Sequence, residues 1–203
     1  MQTAMVVPSP SPLADSAAAK QSLRRILRRA RHDYVACLRL DEQAELQSRL
    51  VDHLLPELRG RRCVAGYAPM GSEIDPQMLM WHAGNASING AYPAFADAAA
   101  PMHFRGGQCA EDSPVGGVQP PAQARVVEPD LVLVPLVAVD RQGNRLGQGG
   151  GHYDRALPRL RAEGARIIGV GWAMQLIAID LPADPWDVPL DAFASPDGLV
   201  EFA

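Results

Sequence analysis

Residues 130–154 read DLVLVPLVAVDRQGNRLGQGGGHYD. Asp130 to Val139 is apolar on both faces of an extended chain, so it is expected to be a central strand of a sheet covered on each side. The loop after it holds Gly143, Gly147, Gly149, Gly150 and Gly151, with Arg145 among them. A helix is expected to start near His152 and run to about Glu163, with Pro158 near a kink. In a parallel sheet, a strand-to-helix junction lies at the carboxyl edge, where ligands bind. Glycines let successive amides converge on an anion, and the helix start and Arg145 add favourable charge. A tight turn with no ligand is the plainer reading, but the glycine density around an arginine favours a phosphate cradle. The cradle is an uncommon one. GxxxxGK[ST] lacks its Lys and Ser/Thr, and GxGxxG fails because His152 stands where the third glycine belongs.

Working outward, Arg62–Tyr67 and Arg166–Trp172 read as buried strands, and 87–92 and 101–105 as further strands. Asp15 and Ser16 are candidate caps for a helix to about Leu38, with an apolar stripe of Leu23, Ile26, Leu27, Ala30, Tyr34 and Leu38. Its opposite face carries Lys20, Arg24, Arg28 and Arg31. Asp41 caps a second amphipathic helix that ends at Pro56 and Gly60, and Asp75-Pro76 opens a short third one. Residues 106–129 read as loop. Strands alternating with helices predict an α/β fold, a three-layer α/β/α sandwich around a mostly parallel central sheet. Residues 1–13, rich in Pro and Ser, are expected to be a disordered tail, and 14–203 a single domain.

Composition narrows the function classes. Apolar residues make up 47% and charged residues 21% of the 203, enough for a real core. Aromatics at 5% and a formal net charge of −4 argue against a nucleic-acid surface. The cysteines Cys37, Cys63 and Cys109 form no CxxC, so reduced thiols in a cytoplasmic protein are expected. The first residues lack a basic start and a sustained apolar stretch, and the longest apolar run is too short for a bilayer, so no membrane association is expected. Lys20 is the only lysine among 19 basic side chains. That singles out a compact ammonium within an otherwise ordinary basic helix face.

Four carboxylates stand beside these features. Asp154, in the first turn of the helix after the glycines, suits either the helix dipole or Mg²⁺ held with phosphate oxygens. Asp187 and Asp191 are possible second ligands, or simply solvated turn residues. Glu73, in PMGSEID, follows a buried strand and so belongs at the carboxyl edge.

Together, residues 18–31 (AAKQSLRRILRRAR), 67–75 (YAPMGSEID), 130–157, 167–175 (IIGVGWAMQ) and 181–191 (LPADPWDVPLD) resemble, in order, the 5-formyltetrahydrofolate cyclo-ligase family, also called methenyltetrahydrofolate synthetase. The resemblance implies a fold similar to sugar-phosphate isomerases and CoA transferases. It implies that the ATP- and Mg²⁺-dependent enzyme converts 5-formyltetrahydrofolate to 5,10-methenyltetrahydrofolate, ADP and phosphate through phosphorylation of the formyl oxygen. Lys20 and Arg24 would contact ATP phosphates. Gly143, Asn144, Arg145, Leu146, Gly147, Gln148, Gly149, Gly150, Gly151, His152 and Tyr153 would form the ATP loop, with Lys20 and Arg145 catalytic. Met70 and Glu73 would bind folate together with the loop from Gly147 to Gly151, and Asp154 and Asp187 would hold the metal. Gln175 would sit nearby. A monomer is expected. The chain departs from the family at Gly150, where some members carry lysine, at His152, where many carry tyrosine, and at Ala94, where many carry a basic residue. The alternatives are an ATP-binding relative with another substrate and a phosphosugar-binding protein.

Overall fold

The computed structural model describes residues 12–184 and 187–202. The strands are β1 (Cys63–Ala65), β2 (Asn89–Ala94), β3 (His103–Gly106), β4 (Glu111–Asp112), β5 (Val118–Gln119), β6 (Leu131–Pro135), β7 (Ala138–Val139), β8 (Arg145–Leu146), β9 (Arg166–Val170), β10 (Ala192–Ser195) and β11 (Gly198–Glu201). The helices are α1 (Pro12–Cys37), α2 (Leu40–Leu54), α3 (Gln77–Asn85) and α4 (His152–Ala162).

Seven strands form one sheet in the order β11-β10-β9-β6-β1-β2-β3. The inner five run parallel, and β3 and β11 close the edges antiparallel. The side-chain period of two sorts each strand between two cores. Val64, Leu131, Leu133, Ile168, Ala192 and Ala194 face the layer holding α2 and α3. Cys63, Ala65, Val132, Val134, Ile167 and Phe193 face the layer holding α4. Both faces are covered, which is why these strands read as unbroken apolar runs. The expected three-layer α/β sandwich is the observed fold.

Several boundaries differ from expectation. The run 130–139 is not one strand. Pro135 has no N–H to donate, and β6 ends on it. The chain then turns into a separate two-stranded ribbon, β7 against β8. A short β4–β5 hairpin lies within the stretch read as loop. Helix α1 begins at Pro12, upstream of the caps proposed; residues 1–11 of the expected tail lie outside the described residues. Helix α2 is entered at Leu40, and its cap is a contact from Glu42 back to the Arg39 N–H, 2.9 Å. Asp75 accepts from the Gln77 N–H (2.8 Å), with Pro76 just outside the α3 helix. Pro158 lies inside α4 without ending it.

The chain leaves β1 toward β2 and leaves β6 toward β9 and β10, in opposite directions across the sheet. Neighbouring loops therefore part at the carboxyl ends of β1 and β6. Such a switch point opens a crevice at that edge.

Candidate functional site

A cleft of about 480 Å³ occupies this crevice. Tyr67, Ala68, Met70 and Glu73 enter it from the segment after β1, Pro93 and Phe95 from the end of β2, and Pro135 from the end of β6. The roof comes from Ser113, Val115, Gly116 and Val118 of the β4–β5 hairpin. Opposite lie Gly147, Gln148, Gly149, Gly150 and Gly151 with the first turn of α4, and Lys20 and Arg24 reach in from α1.

Most of the basic face of α1 is turned toward the protein, with Lys20 and Arg31 buried and Arg28 exposed. Residues 20, 24, 28 and 31 repeat at helical spacing, and of them Arg24 and Arg28 dock on the glycine segment. The Lys20 ammonium is 8% exposed and donates to Asp184 and Asp187, each at 2.6 Å. Burial opposes its charge, but the bonds to Asp184 and Asp187 prevail and raise its pKa. Arg24 Nε donates to the Gly147 carbonyl, 2.9 Å. Burial and the neighbouring Arg28 lower the Arg24 pKa, so an anion in the cleft would relieve it. Arg28 donates to Gln148 Oε1 at 2.8 Å.

Glu73 is 7% exposed and carries contacts from both sides. One oxygen accepts from the Met70 N–H (2.9 Å) and the other from Gln148 Nε2 (2.5 Å). Two oxygens offer about four acceptor positions, so capacity remains for a ligand donor. Arg145 pairs with Asp154 and lies over the Tyr153 ring, 5.6 Å from its centre. Arg145 Nε and the Tyr153 hydroxyl are buried with no hydrogen-bond partner among the described residues. Buried polar groups of this kind ordinarily have a partner, and burial pushes the Tyr153 hydroxyl pKa well up. His152 meets Phe95 edge-on, 4.7 Å between ring centres, and covers Gly150 so closely that a Cβ there would lie 2.7 Å from the ring. Burial and Arg155 lower the His152 pKa.

The structure thus brings together at the cleft Lys20, Arg24, Met70, Glu73, Arg145, Gly147 to Gly151, His152, Tyr153, Asp154 and Asp187. It places Gly143, Asn144 and Leu146 elsewhere. Gly143 and Asn144 form the β7–β8 turn, tied to the buried Asp140. Leu146 packs with Val137, Ala138 and Leu181. Asp191 pairs with Arg161 (2.7 Å) and accepts from the Ile167 N–H (2.7 Å), so it serves the sheet. Gln175 is 2% exposed and donates to the carbonyls of Leu136 and Val137, so it does not face the cleft. Asp184 and the roof residues were missed from sequence. Asp184 sits three residues before Asp187 in a proline-rich tail with no regular period to mark it, and the roof strands are two residues each.

Comparisons with known proteins point one way. A family model described as the 5-formyltetrahydrofolate cyclo-ligase family matches residues 16–196. A 5-formyltetrahydrofolate cyclo-ligase of Haemophilus influenzae is 44% identical over 63 residues, 31% of this chain and 33% of that protein. One of Escherichia coli K12 is 40% identical over 73 residues, 36% of this chain and 40% of that protein. The matched stretches therefore span well under half the length of these curated relatives. Solved structures resemble the chain more fully. An Aquifex aeolicus 5,10-methenyltetrahydrofolate synthetase matches with TM-score 0.74 and 26% identity, covering 90% of this chain and 92% of that one. A Mycoplasma pneumoniae 5,10-methenyltetrahydrofolate synthetase matches with TM-score 0.65 and 25% identity, covering 87% and 98%.

Proposed function

The chain belongs to the 5-formyltetrahydrofolate cyclo-ligase family, and from that premise we propose that its cleft converts 5-formyltetrahydrofolate to 5,10-methenyltetrahydrofolate at the expense of ATP. One observation carries the reading: Lys20 and Arg24, Glu73, the 147–154 segment and Asp187, far apart in sequence, line one cleft.

The cleft divides by chemistry. Lys20, Arg24, Arg145 and the amides around Gly149 surround the place for the triphosphate. The apolar residues Met70, Phe95, Met102, Val115 and Val118, with Glu73 at the deep end, suit a flat heterocycle carrying N–H donors. Asp154 and Asp187 both border the phosphate side. Among the described residues no three His, Cys, Asp or Glu side chains group to hold a metal. Asp154 and Asp187, which here pair with Arg145 and Lys20, would hold Mg²⁺ together with phosphate oxygens, the donor set that ion prefers. When bound, the ion supplies neutralisation of phosphate charge.

A formamide oxygen is a poor leaving group and phosphate a good one. The formyl oxygen attacks the γ-phosphorus, the bond to the bridging oxygen breaks and ADP departs. N10 then attacks the activated carbon and gives up its proton to the departing phosphate or to water, the ring closes and phosphate leaves with the former formyl oxygen. No side-chain nucleophile is required. Lys20 and Arg24 hold the phosphates in line and offset charge on the oxygens, Glu73 orients the substrate ring, and the roof hairpin limits water. The protein would act as a cytoplasmic enzyme on two small molecules.

The test is direct. Protein, 5-formyltetrahydrofolate, Mg²⁺ and ATP should produce the methenyl chromophore, and omission of ATP should abolish it. No chromophore in the complete mixture would refute the assignment.

A further inference from the structure

We propose that Arg31 is a positioning residue for the substrate side of the cleft: it braces the turn that carries Glu73 through a closed ring of hydrogen bonds and sets its charge beside the Glu73 carboxylate. The proposal rests on the reading of Glu73 as the residue that grips the substrate heterocycle.

Arg31 lies on α1, three helical turns beyond Lys20, and is 6% exposed. It does not line the cleft. A buried guanidinium is unfavourable unless its donors are used, and those of Arg31 reach the turn that carries Glu73 and the chain after β6. Its Nε donates to Ser72 Oγ (3.1 Å), on the residue preceding Glu73. Its Nη1 donates to the Leu136 carbonyl (3.1 Å) and lies 3.8 Å from Glu73 Oε1. The Leu136 carbonyl also accepts from Gln175 Nε2, 2.7 Å. Gln175 Oε1 accepts from the Trp172 N–H (2.8 Å), and Trp172 Nε1 donates to the Ser72 carbonyl, 2.9 Å, which closes the ring. Four chain segments are thereby clamped: α1, the turn after β1, the chain after β6 and the turn after β9.

The ring explains why Gln175 is buried beside the site without entering it. It also gives Arg31 a task that lysine cannot perform. A planar fork reaches Ser72 and Leu136 at once from a fixed angle, whereas an ammonium on a flexible stem supplies the charge without the geometry. Lys20 and Arg24 meet the phosphate side two to three turns away, so disturbance at Arg31 is felt first at Glu73.

The experiment is a double-mutant cycle on 5-formyltetrahydrofolate affinity, measured by calorimetry without ATP, with KM for both substrates alongside. Arg31→Lys should weaken 5-formyltetrahydrofolate about tenfold while KM for ATP stays within about twofold. In a Glu73→Ala background, Arg31→Lys should add less than about twofold, because its effect passes through the missing carboxylate. Ser72→Ala, which deletes one ring contact at a half-buried position, should shift affinity in the same direction. Full affinity in Arg31→Lys, equal weakening of both substrates, or the same loss with and without Glu73 would each overturn the proposal. Unchanged affinity in Glu73→Ala would overturn the assignment of Glu73 itself. An additive cycle with Glu73→Ala still damaging would overturn only the role of Arg31.

Discussion

Gly143 and Gly149 belong to the same glycine-rich segment, yet they do different work. Gly143 has φ of +81°, and a Cβ there would lie 2.9 Å from the Leu190 carbonyl and 3.0 Å from the Phe202 ring. It is a turn residue in a crowded place. Gly149, at φ +105°, would meet only the Arg24 side chain, at 3.7 Å, beside the cleft. Gly143→Ala is therefore expected to destabilise the fold by about 2 kcal/mol, lowering the melting temperature by several degrees on the order of 4–8 °C. The folded fraction should retain its kcat, since Gly143 does not border the cleft. Thermal denaturation and steady-state rates on the same preparation check this. Nothing in the residue spacing separates these two glycines. The difference is the arrival of Leu190 and Phe202 from the far end of the chain.

At the scale of the element, α1 shows how much a periodic pattern can say. Of its expected stripe, Tyr34 and Leu38 pack on one core, joined by Val35, and Leu23 and Leu27 pack near the β7–β8 ribbon, whereas Ile26 is left 57% exposed. The polar face gave no such direction, because a basic helix face is usually solvated. Here Lys20, Arg24 and Arg31 turn inward, Arg28 stays exposed while bonding to Gln148, and Arg29, with its side chain 76% exposed, pairs with Asp33 on the surface. Lys20→Ala should therefore cut kcat/KM for ATP by about 10²–10³-fold, the range for losing one preorganised charge contact. Arg29→Ala should leave the rate unchanged and cost no more than about 0.5 kcal/mol, the usual worth of an exposed pair on one helix. Parallel kinetics and denaturation of the two variants test the contrast. Equal losses would mean that α1 matters only as packing. The β6 stretch carries the complementary lesson: hydrophobicity marked 131–139 as buried, and only the missing N–H of Pro135 signalled that the chain leaves the sheet midway.

At the scale of the molecule, the cleft exists only where β1 and β6 part, so its ligands should bind the folded chain and not the unfolded one. Saturating ligand then raises stability by about 2.7 kcal/mol at a hundred times Kd. ATP with Mg²⁺ and 5-formyltetrahydrofolate are each expected to raise the melting temperature, and a chelator should remove the ATP shift while leaving the folate shift. A response to ATP alone would favour a relative with another substrate. What the order of residues determined by itself was the α/β class, the buried strands, the glycine-rich segment after β6 and the family, because each is written in local periodicity, glycine spacing or a contiguous motif. Tertiary structure alone decided which glycines border the cleft, that Asp187 joins it while Asp191 braces the sheet, that Asp184 shares Lys20, and that the β4–β5 hairpin roofs the site. Those outcomes depend on contacts between segments far apart in the chain, such as Lys20 with Asp184 and Gly143 with Phe202. Such contacts are set by the order in which strands join a sheet and leave no mark on either segment alone.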